Sequence, residues 1–294
     1  LITVGVSEGL DLALRTIICP GDEILIPEPC YVSYKACVSL VGGIPVTVPT
    51  SIETEFRITV EQLEKYVSSK TKALIIGYPN NPTGAIMPKE ELSKIAEFAE
   101  RHDLIVISDE IYSNLTYDAT HTCFAALPNM KDRTIVLNGF SKSYAMTGWR
   151  IGYALANHEF IASMNKIHQY TMLCAPITAQ IGALEALRHG KIHMKKMVSE
   201  YDRRRKLIYE GFKAMGLNCF EPKGAFYIFP SIANTGMDSL EFAEKLLRSE
   251  KVALVPGNAF GESGNGFIRC SYATSISKID EALVRIERFL QQNC

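Results

Sequence analysis

Lys142 is the residue whose type and position most directly suggest covalent chemistry. It follows a short apolar run at residues 134–138 that reads as a buried strand ending in Gly139 and Phe140. Arg150 stands eight residues further on, just before a second apolar run. An amine at a strand end with a fixed cation nearby suggests bonding to a phosphorylated aldehyde. The plain alternative is a solvated loop lysine, because loops are surface segments.

Two turns that follow apolar runs could bind other groups. The glycine-bearing turn at residues 5–9 leads into a helical pattern, so its backbone N–H groups could form an anion site. Such a turn occurs in many α/β folds and is weak evidence alone. In the turn at residues 78–84, Asn81 precedes a proline that favours an extended backbone. This segment could equally be a turn without a function.

Two charged residues occur where strands are predicted. Asp109 follows the apolar run at residues 104–107, and an acid in that place is often only the N-cap of a helix. Arg269 lies inside the apolar run at residues 266–272. A buried arginine without a partner is costly, so we expect Arg269 to meet a carboxylate from the protein or from a substrate.

The first half of the chain alternates strand-like and helix-like segments, and most of the strand-like ones are continuously apolar. This pattern predicts an α/β fold with a mostly parallel sheet covered by helices on both faces. In such sheets, ligands bind beyond the carboxyl ends of the strands. The predicted strands are residues 1–4, 23–26, 44–48, 72–77, 104–108 and 134–137, and the predicted helices are residues 7–18, 31–41, 60–67 and 89–102.

The second half changes character and is helical over residues 159–215. The remainder mixes strands at 225–229, 252–255 and 266–272 with helices at 240–250 and 276–290. We predict a large domain over residues 1–200, ending in a long interdomain helix at about 191–215, and a smaller C-terminal α+β domain over 201–294.

Composition excludes several classes of protein. The 294 residues are 47% hydrophobic and 21% charged, which is typical of a soluble globular protein. A net charge of −1 predicts no nucleic-acid partner and no anionic membrane partner. The basic run at residues 202–206 is interpreted as a solvated helix face, since no second basic or aromatic cluster accompanies it.

The cysteine pattern and the apolar runs bear on location. The eight cysteines are scattered without metal-ligand spacing, so we expect free thiols and a cytoplasmic protein without a metal. No apolar run reaches the roughly 18 residues that cross a bilayer. The chain begins with Leu1 inside a predicted strand, so we expect that it is N-terminally truncated and that further residues precede it.

Together, these clusters make the chain resemble the class I aminotransferases of the aspartate aminotransferase type, which are fold-type I pyridoxal-phosphate enzymes. The resemblance runs from residue 1 nearly to the end. It rests on the order and spacing of Asn-Pro-Thr-Gly at 81–84, Ser-Asp-Glu-Ile-Tyr at 108–112, Ser-Lys at 141–142 with Arg150, and Arg269.

The resemblance implies roles for the residues around a bound pyridoxal 5′-phosphate. Lys142 would hold the cofactor as a Schiff base and, once freed, move the substrate proton. Asp109 would pair with the pyridine nitrogen, with Tyr34 behind it. Tyr112 and Asn81 would donate to the phenolate oxygen, and Asn81 would also contact the substrate.

It implies further roles for residues at the two ends of the site. The Arg150 side chain and the backbone of Val6 and Ser7 would hold the phosphate. Tyr31 would stack on the cofactor ring. Arg269 would bind the α-carboxylate of the substrate through its planar fork.

The implied function is amine transfer from an amino acid to a 2-oxo acid in a ping-pong cycle. The bacterial subgroup of aspartate and N-acetyl-diaminopimelate aminotransferases is most similar, with residues 166–170, 224–230 and 266–275 especially like the latter. His168 is expected to pack in its amphipathic helix rather than reach the substrate. The resemblance also implies a homodimer. Two alternatives stay open: a pyridoxal-phosphate carbon–sulfur lyase, and the aminotransferase-like domain of a transcription regulator.

Overall fold

A seven-stranded sheet forms the centre of the protein in this computed structural model, which describes residues 1–293. The strands are β1 (Ile2–Thr3), β2 (Glu23–Glu28), β3 (Ile44–Pro49), β4 (Thr71–Ile76), β5 (Ile105–Asp109), β6 (Thr134–Gly139) and β7 (Gly152–Leu155). Their order is β1-β7-β6-β5-β4-β2-β3. Strands β6, β5, β4, β2 and β3 are parallel, and β7 is antiparallel to both of its neighbours. The predicted mostly parallel α/β sheet is confirmed.

The middle strands are mostly apolar because both faces of the sheet are covered. In β4, Leu74 and Ile76 pack into one core cluster, while Ala73 and Ile75 pack into the other. Successive side chains of a strand point to opposite faces, so this division places one core on each side of the sheet. Both faces of β4 are therefore buried against helices, as its sequence predicts.

Nine α-helices are described over residues 1–293, besides short 3-10 turns. They are α1 (Gly5–Ile17), α2 (Ser33–Leu40), α3 (Val60–Glu64), α4 (Lys89–Arg101), α5 (His158–Thr171), α6 (Ile177–His189), α7 (Lys191–Ala214), α8 (Ser239–Glu250) and α9 (Ile276–Asn293). The helices predicted at 31–41 and 60–67 are shorter in the structure. None of the nine combines the length and the apolar character that a membrane crossing requires.

The C-terminal part of the chain adds a three-stranded antiparallel sheet, ordered β8 (Tyr227–Ile228), β10 (Ile268–Ser271) and β9 (Val255–Pro256). A separate core cluster packs this sheet against α7, α8 and α9. The strand predicted at 252–255 is displaced, since β9 starts only at its last residue. The proposed division into domains at residue 200 remains a prediction. The last residue of the second proposed domain, Cys294, lies outside the described residues.

Arg205 corrects one sequence-based interpretation. The run at residues 202–206 was expected to be a solvated helix face, but the Arg205 side chain is 0% exposed. Its guanidinium pairs with Asp118 and Glu221, each at 2.8 Å, and with Asp202. Two of these partners are distant in sequence, so neither the pattern nor the charge of the run could reveal the burial. A buried cation is tolerated here because carboxylates surround it.

Candidate active site

The carboxyl ends of β4, β5 and β6 share one edge of the sheet, and three predicted site residues lie there. Asp109 is the last residue of β5 and pairs in register with Leu137 of β6. Asn81 and Lys142 follow β4 and β6 in the loops beyond that edge. Parallel order thus brings together side chains that are far apart in sequence.

A cavity of about 320 Å³ opens at this edge. All of the predicted site residues line it: Val6, Ser7, Tyr31, Asn81, Asp109, Tyr112, Lys142, Arg150 and Arg269. The roles assigned to them stay predictions, but the structure brings the whole set to one place.

The Asp109 carboxylate is buried and lines the cavity. Its Oδ2 accepts a hydrogen bond from the Tyr34 hydroxyl at 2.8 Å, and its Oδ1 accepts from the Ile111 amide at 3.2 Å. Burial raises the pKa of Asp109 to about 6, although these two hydrogen bonds oppose the rise. Gly77 makes room for the donor, because a Cβ there would lie 2.5 Å from the Tyr34 hydroxyl.

The Lys142 amine is half-buried among aromatic rings. Its Nζ lies 5.6 Å from the Tyr112 ring centroid and 5.5 Å from that of Phe226. Desolvation is the main cause that lowers the pKa of Lys142; the cations Arg269 and Arg150 add to it and Asp109 opposes it. A lowered pKa increases the uncharged fraction of the amine, which is the nucleophilic form.

The N-terminus of α1 and the Arg150 side chain form one wall of the cavity. Val4, at the N-cap of α1, offers no side-chain cap to the first turn. Gly5 has φ +76°, and a Cβ there would lie 2.6 Å from Nη2 of Arg150. The Arg150 guanidinium donates to the Thr147 carbonyl at 3.0 Å. Backbone N–H groups and a guanidinium that face one space form a donor set suited to a phosphate.

Arg269 belongs to β10 of the small sheet and also lines the cavity. Its Nη1 donates to Oδ1 of Asn81 at 2.9 Å, and its guanidinium carbon lies 4.5 Å from the Tyr227 ring centroid and 4.7 Å from that of Phe260. Its Nε is buried without a hydrogen-bond partner in the described part of the chain. A buried unsatisfied donor on a cation calls for an acceptor from a ligand.

The charge balance of the cavity is unusual. Lys142, Arg150 and Arg269 all line it, and none of them forms an ion pair with a carboxylate of residues 1–293. Asp109 is the one acidic side chain among the lining residues. The cavity is therefore suited to ligands that carry more than one negative charge.

Sequence reasoning missed several lining residues, of which Tyr227 is the most informative. Its hydroxyl lies 3.1 Å from that of Tyr112, and its ring covers Arg269. The run at 224–230 was noted only for its likeness to one subgroup, and nothing in it singles out the tyrosine. Ser141, next to Lys142, and Thr147, three residues before Arg150, also line the cavity.

His168 takes the place in the helix that its amphipathic pattern predicts. It is buried on α5 and is not among the residues that line the cavity. Its Nδ1 lies 2.7 Å from Oε1 of Glu8 on α1. His168 is therefore packed inside the protein, as its helix pattern predicts. Its contact with the Glu8 carboxylate was not predicted.

The fold and the cavity define an α/β enzyme with an amine and two guanidinium groups for anionic ligands. The family model for aminotransferase class I and II matches residues 1–286 of the chain. The chain belongs to this aminotransferase family, and the predicted family and fold type are confirmed. Enzymes of this family use pyridoxal phosphate, act on amino and 2-oxo acids and are typically dimers.

Individual relatives agree with this assignment. YugH of Bacillus subtilis, named as an aminotransferase without a stated substrate, is 56% identical over 99% of this chain and 76% of its own length. An aspartate aminotransferase of Pyrococcus abyssi is 48% identical with the same coverage of both chains. A B. subtilis protein that carries the name probable N-acetyl-LL-diaminopimelate aminotransferase is 42% identical over 99% of this chain and 73% of its own length.

Solved structures lead to the same family. The crystal structure of an aromatic aminotransferase from Pyrococcus horikoshii superimposes with a TM-score of 0.98 at 47% identity, covering 99% of this chain and 79% of its own. The relatives thus include enzymes named for aspartate, aromatic and diaminopimelate substrates. The family is shared, whereas the named substrate differs among its members.

Proposed function

We propose that this chain binds pyridoxal 5′-phosphate in the cavity and transfers an amino group from an amino acid to a 2-oxo acid. The amino acid is aspartate, N-acetyl-diaminopimelate or a related compound. The observation that carries this proposal is the set of three cations, Lys142, Arg150 and Arg269, that line one cavity without a carboxylate partner among residues 1–293. A phosphate and a substrate carboxylate are the anions that such a set would hold.

The residues present fit the cofactor at each of its polar groups. The Arg150 guanidinium and the N–H groups of Val6 and Ser7 would hold the phosphate at the start of α1. The Asp109 carboxylate, which lacks a cationic partner at ion-pair distance in the described chain, would hold a proton on the ring nitrogen. Tyr31 would cover the ring face.

Asn81 and Tyr112 would serve the phenolate oxygen. The Asn81 carbonyl oxygen already accepts from Arg269, so its amide nitrogen is the atom left to donate. The Tyr112 hydroxyl shares a hydrogen bond with that of Tyr227, and either oxygen can be the donor. Burial is the main cause that raises the pKa of Tyr112 well above its usual value, which keeps the hydroxyl protonated and able to donate.

When bound, pyridoxal phosphate supplies an aldehyde that condenses with amines and a ring that takes up electrons. Lys142 would supply the amine that binds this aldehyde. After release, its uncharged Nζ would take the proton from the substrate Cα, for which the lowered pKa suits it. The Tyr112 and Phe226 rings beside Nζ would limit the access of water to that proton.

Arg269 would fix the substrate through its α-carboxylate. Asn81 holds Nη1, and the Tyr227 and Phe260 rings hold the plane of the guanidinium, so the group is positioned before the substrate arrives. A pre-positioned guanidinium reduces the ordering that binding requires. The same clamp would serve the amino acid and the 2-oxo acid, because both carry this carboxylate.

A donor and acceptor screen on the purified enzyme with added cofactor tests the proposal. We expect 2-oxo-acid-dependent loss of amine from aspartate, N-acetyl-diaminopimelate, glutamate or an aromatic amino acid. Release of pyruvate and ammonia from cysteine conjugates, without use of an oxo acid, would instead support a carbon–sulfur lyase. A homodimer and a cytoplasmic location belong to the proposal as well.

A further inference from the structure

Glu8 lies directly behind the proposed phosphate wall. It belongs to the first turns of α1, and its neighbour Ser7 lines the cavity. One carboxylate oxygen accepts from the Val4 amide at the start of the helix. The other is 2.7 Å from Nδ1 of His168 on α5. The two side chains are 11% and 6% exposed, so this pair is almost sealed from water.

A carboxylate in this position creates a conflict. The N-terminus of a helix attracts any anion, and the Glu8 carboxylate belongs to the residue that directly follows Val6 and Ser7, whose N–H groups are proposed to hold the phosphate. Val4 supplies no side-chain cap, so these N–H groups are open to the Glu8 side chain as well as to a ligand. A carboxylate that competed for these N–H groups would occupy the hydrogen-bond donors that the phosphate needs. Its negative charge would also repel that of the phosphate.

His168 resolves this conflict by geometry. An ionised carboxylate only accepts hydrogen bonds, so Nδ1 of His168 is the donor in this contact. With one oxygen accepting from Nδ1 of His168 and the other from the Val4 amide, the Glu8 carboxylate is oriented toward these two donors, and Glu8 is not among the residues that line the cavity. The interaction joins α5 to α1 across 160 positions of sequence.

We propose that His168 is a positioning residue that holds the Glu8 carboxylate away from the phosphate wall, and thereby sets how strongly this site prefers phosphorylated ligands. The inference rests on the proposed binding of pyridoxal phosphate. It assigns no contact between His168 and the cofactor or the substrate. Its distinguishing consequence concerns the phosphate alone, because in the described residues neither side chain hydrogen-bonds to a residue that lines the cavity.

The test compares the dissociation constants of pyridoxal 5′-phosphate and of pyridoxal, which lacks the phosphate, by fluorescence titration of the cofactor-free protein. In His168→Leu, we expect the dissociation constant of pyridoxal phosphate to rise about tenfold, as loss of one charge-assisted hydrogen bond suggests. That of pyridoxal should stay within about twofold of the wild-type value, because the aldehyde end and the ring contacts are unchanged.

Two further variants separate positioning from packing. His168→Asn places an amide donor close to the position of Nδ1 and should restore the preference for the phosphorylated ligand. Glu8→Gln combined with His168→Leu removes the competing charge, so it should also recover most of the preference. His102→Leu is the matched control, since His102 contacts Glu64 at 3.1 Å and does not line the cavity. It should leave both constants unchanged.

The outcomes distinguish failure of the proposed function from failure of the positioning role of His168. If wild-type protein binds neither ligand, the proposed function fails. If the wild type binds pyridoxal phosphate, an equal loss of affinity for both ligands in His168→Leu would overturn the positioning role, as would no loss for either. Failure of the double variant to recover the preference would also contradict it. Circular dichroism spectra that match the wild type confirm that each variant is folded.

Discussion

Arg269 donates a hydrogen bond from Nη1 to Oδ1 of Asn81 at 2.9 Å, across 188 positions of the chain. The contact joins β10 of the small sheet to the loop after β4 of the large one. It orients the guanidinium without neutralising it, because an amide oxygen carries no net charge. The buried Nε stays without a partner in the described residues, so the group is held in place and still able to bind an anion.

Arg269→Lys tests whether the planar fork of this residue binds the substrate carboxylate. The substitution keeps the positive charge but loses the paired donors. We expect the single-turnover rate constant for an amino acid at low concentration to fall about 100-fold, which corresponds to loss of a charged hydrogen bond pair. An amine without a carboxylate serves as control and should react at nearly the wild-type rate. Equal losses for both substrates would contradict the assigned role.

The pKa of Lys142 should respond in opposite directions to two neutralising substitutions. Arg269 lowers this pKa and Asp109 raises it. Arg269→Met should therefore raise the pKa of Lys142, and Asp109→Asn should lower it. Reductive methylation of the cofactor-free protein by formaldehyde across a range of pH, quantified at Lys142 by peptide mass spectrometry, reports the uncharged amine. Exposed Lys131 provides an internal reference. Shifts of the same sign in both variants would refute this electrostatic account.

Asp109 should make the cofactor-free protein less stable as pH rises. Its folded pKa is raised from 3.8 to about 6, so its ionisation disfavours the folded state. The contribution of Asp109 to the free energy of unfolding is therefore full below pH 3.8 and is lost as pH rises through about 6. At pH 8, Asp109→Asn should unfold at a higher urea concentration than the wild type. Its free energy of unfolding should exceed that of the wild type by at most about 3 kcal/mol. The difference should shrink as pH falls from about 6 toward 3.8, and a difference independent of pH would exclude this cause.

Gly77 and Tyr34 should show coupled effects on stability. A Cβ at Gly77 would lie 2.5 Å from the Tyr34 hydroxyl and 3.3 Å from ring atom Cζ. Gly77→Ala should cost about 1–3 kcal/mol in the free energy of unfolding. The cost should be clearly smaller in a Tyr34→Phe background, which lacks the hydroxyl. Gly148→Ala is the control, since a Cβ there meets nothing within 4 Å. Equal costs in both backgrounds would show that the hydroxyl is not the obstacle.

The sequence pattern singled out Lys142 and Asp109 because Asp109 ends one apolar strand of a parallel sheet and Lys142 follows closely after another. The carboxyl ends of parallel strands lie at the same edge of the sheet, so residues at or just after those ends come together there. Arg269 was also recognisable, since a charge within an apolar run requires a partner. These three residues were selected by local pattern, and the structure brings them to the same cavity.

Other features depend on contacts that no local pattern records. Tyr227 lines the cavity because a two-residue strand places it there, and so short a strand leaves little periodicity to read. The burial of Arg205 depends on Asp118 and Glu221, which approach it only in the folded chain. The His168–Glu8 contact likewise needs α5 to pack on α1. Tertiary packing decides each of these cases.

The central claim is that Lys142 is the amine that binds the cofactor aldehyde. The most direct measurement is borohydride reduction of the wild-type protein loaded with pyridoxal phosphate, followed by digestion and peptide mass spectrometry. The account predicts one reduced cofactor adduct, on Lys142, and none on any lysine in Lys142→Ala. An adduct on a different lysine of the wild-type protein, with Lys142 unmodified, would contradict it.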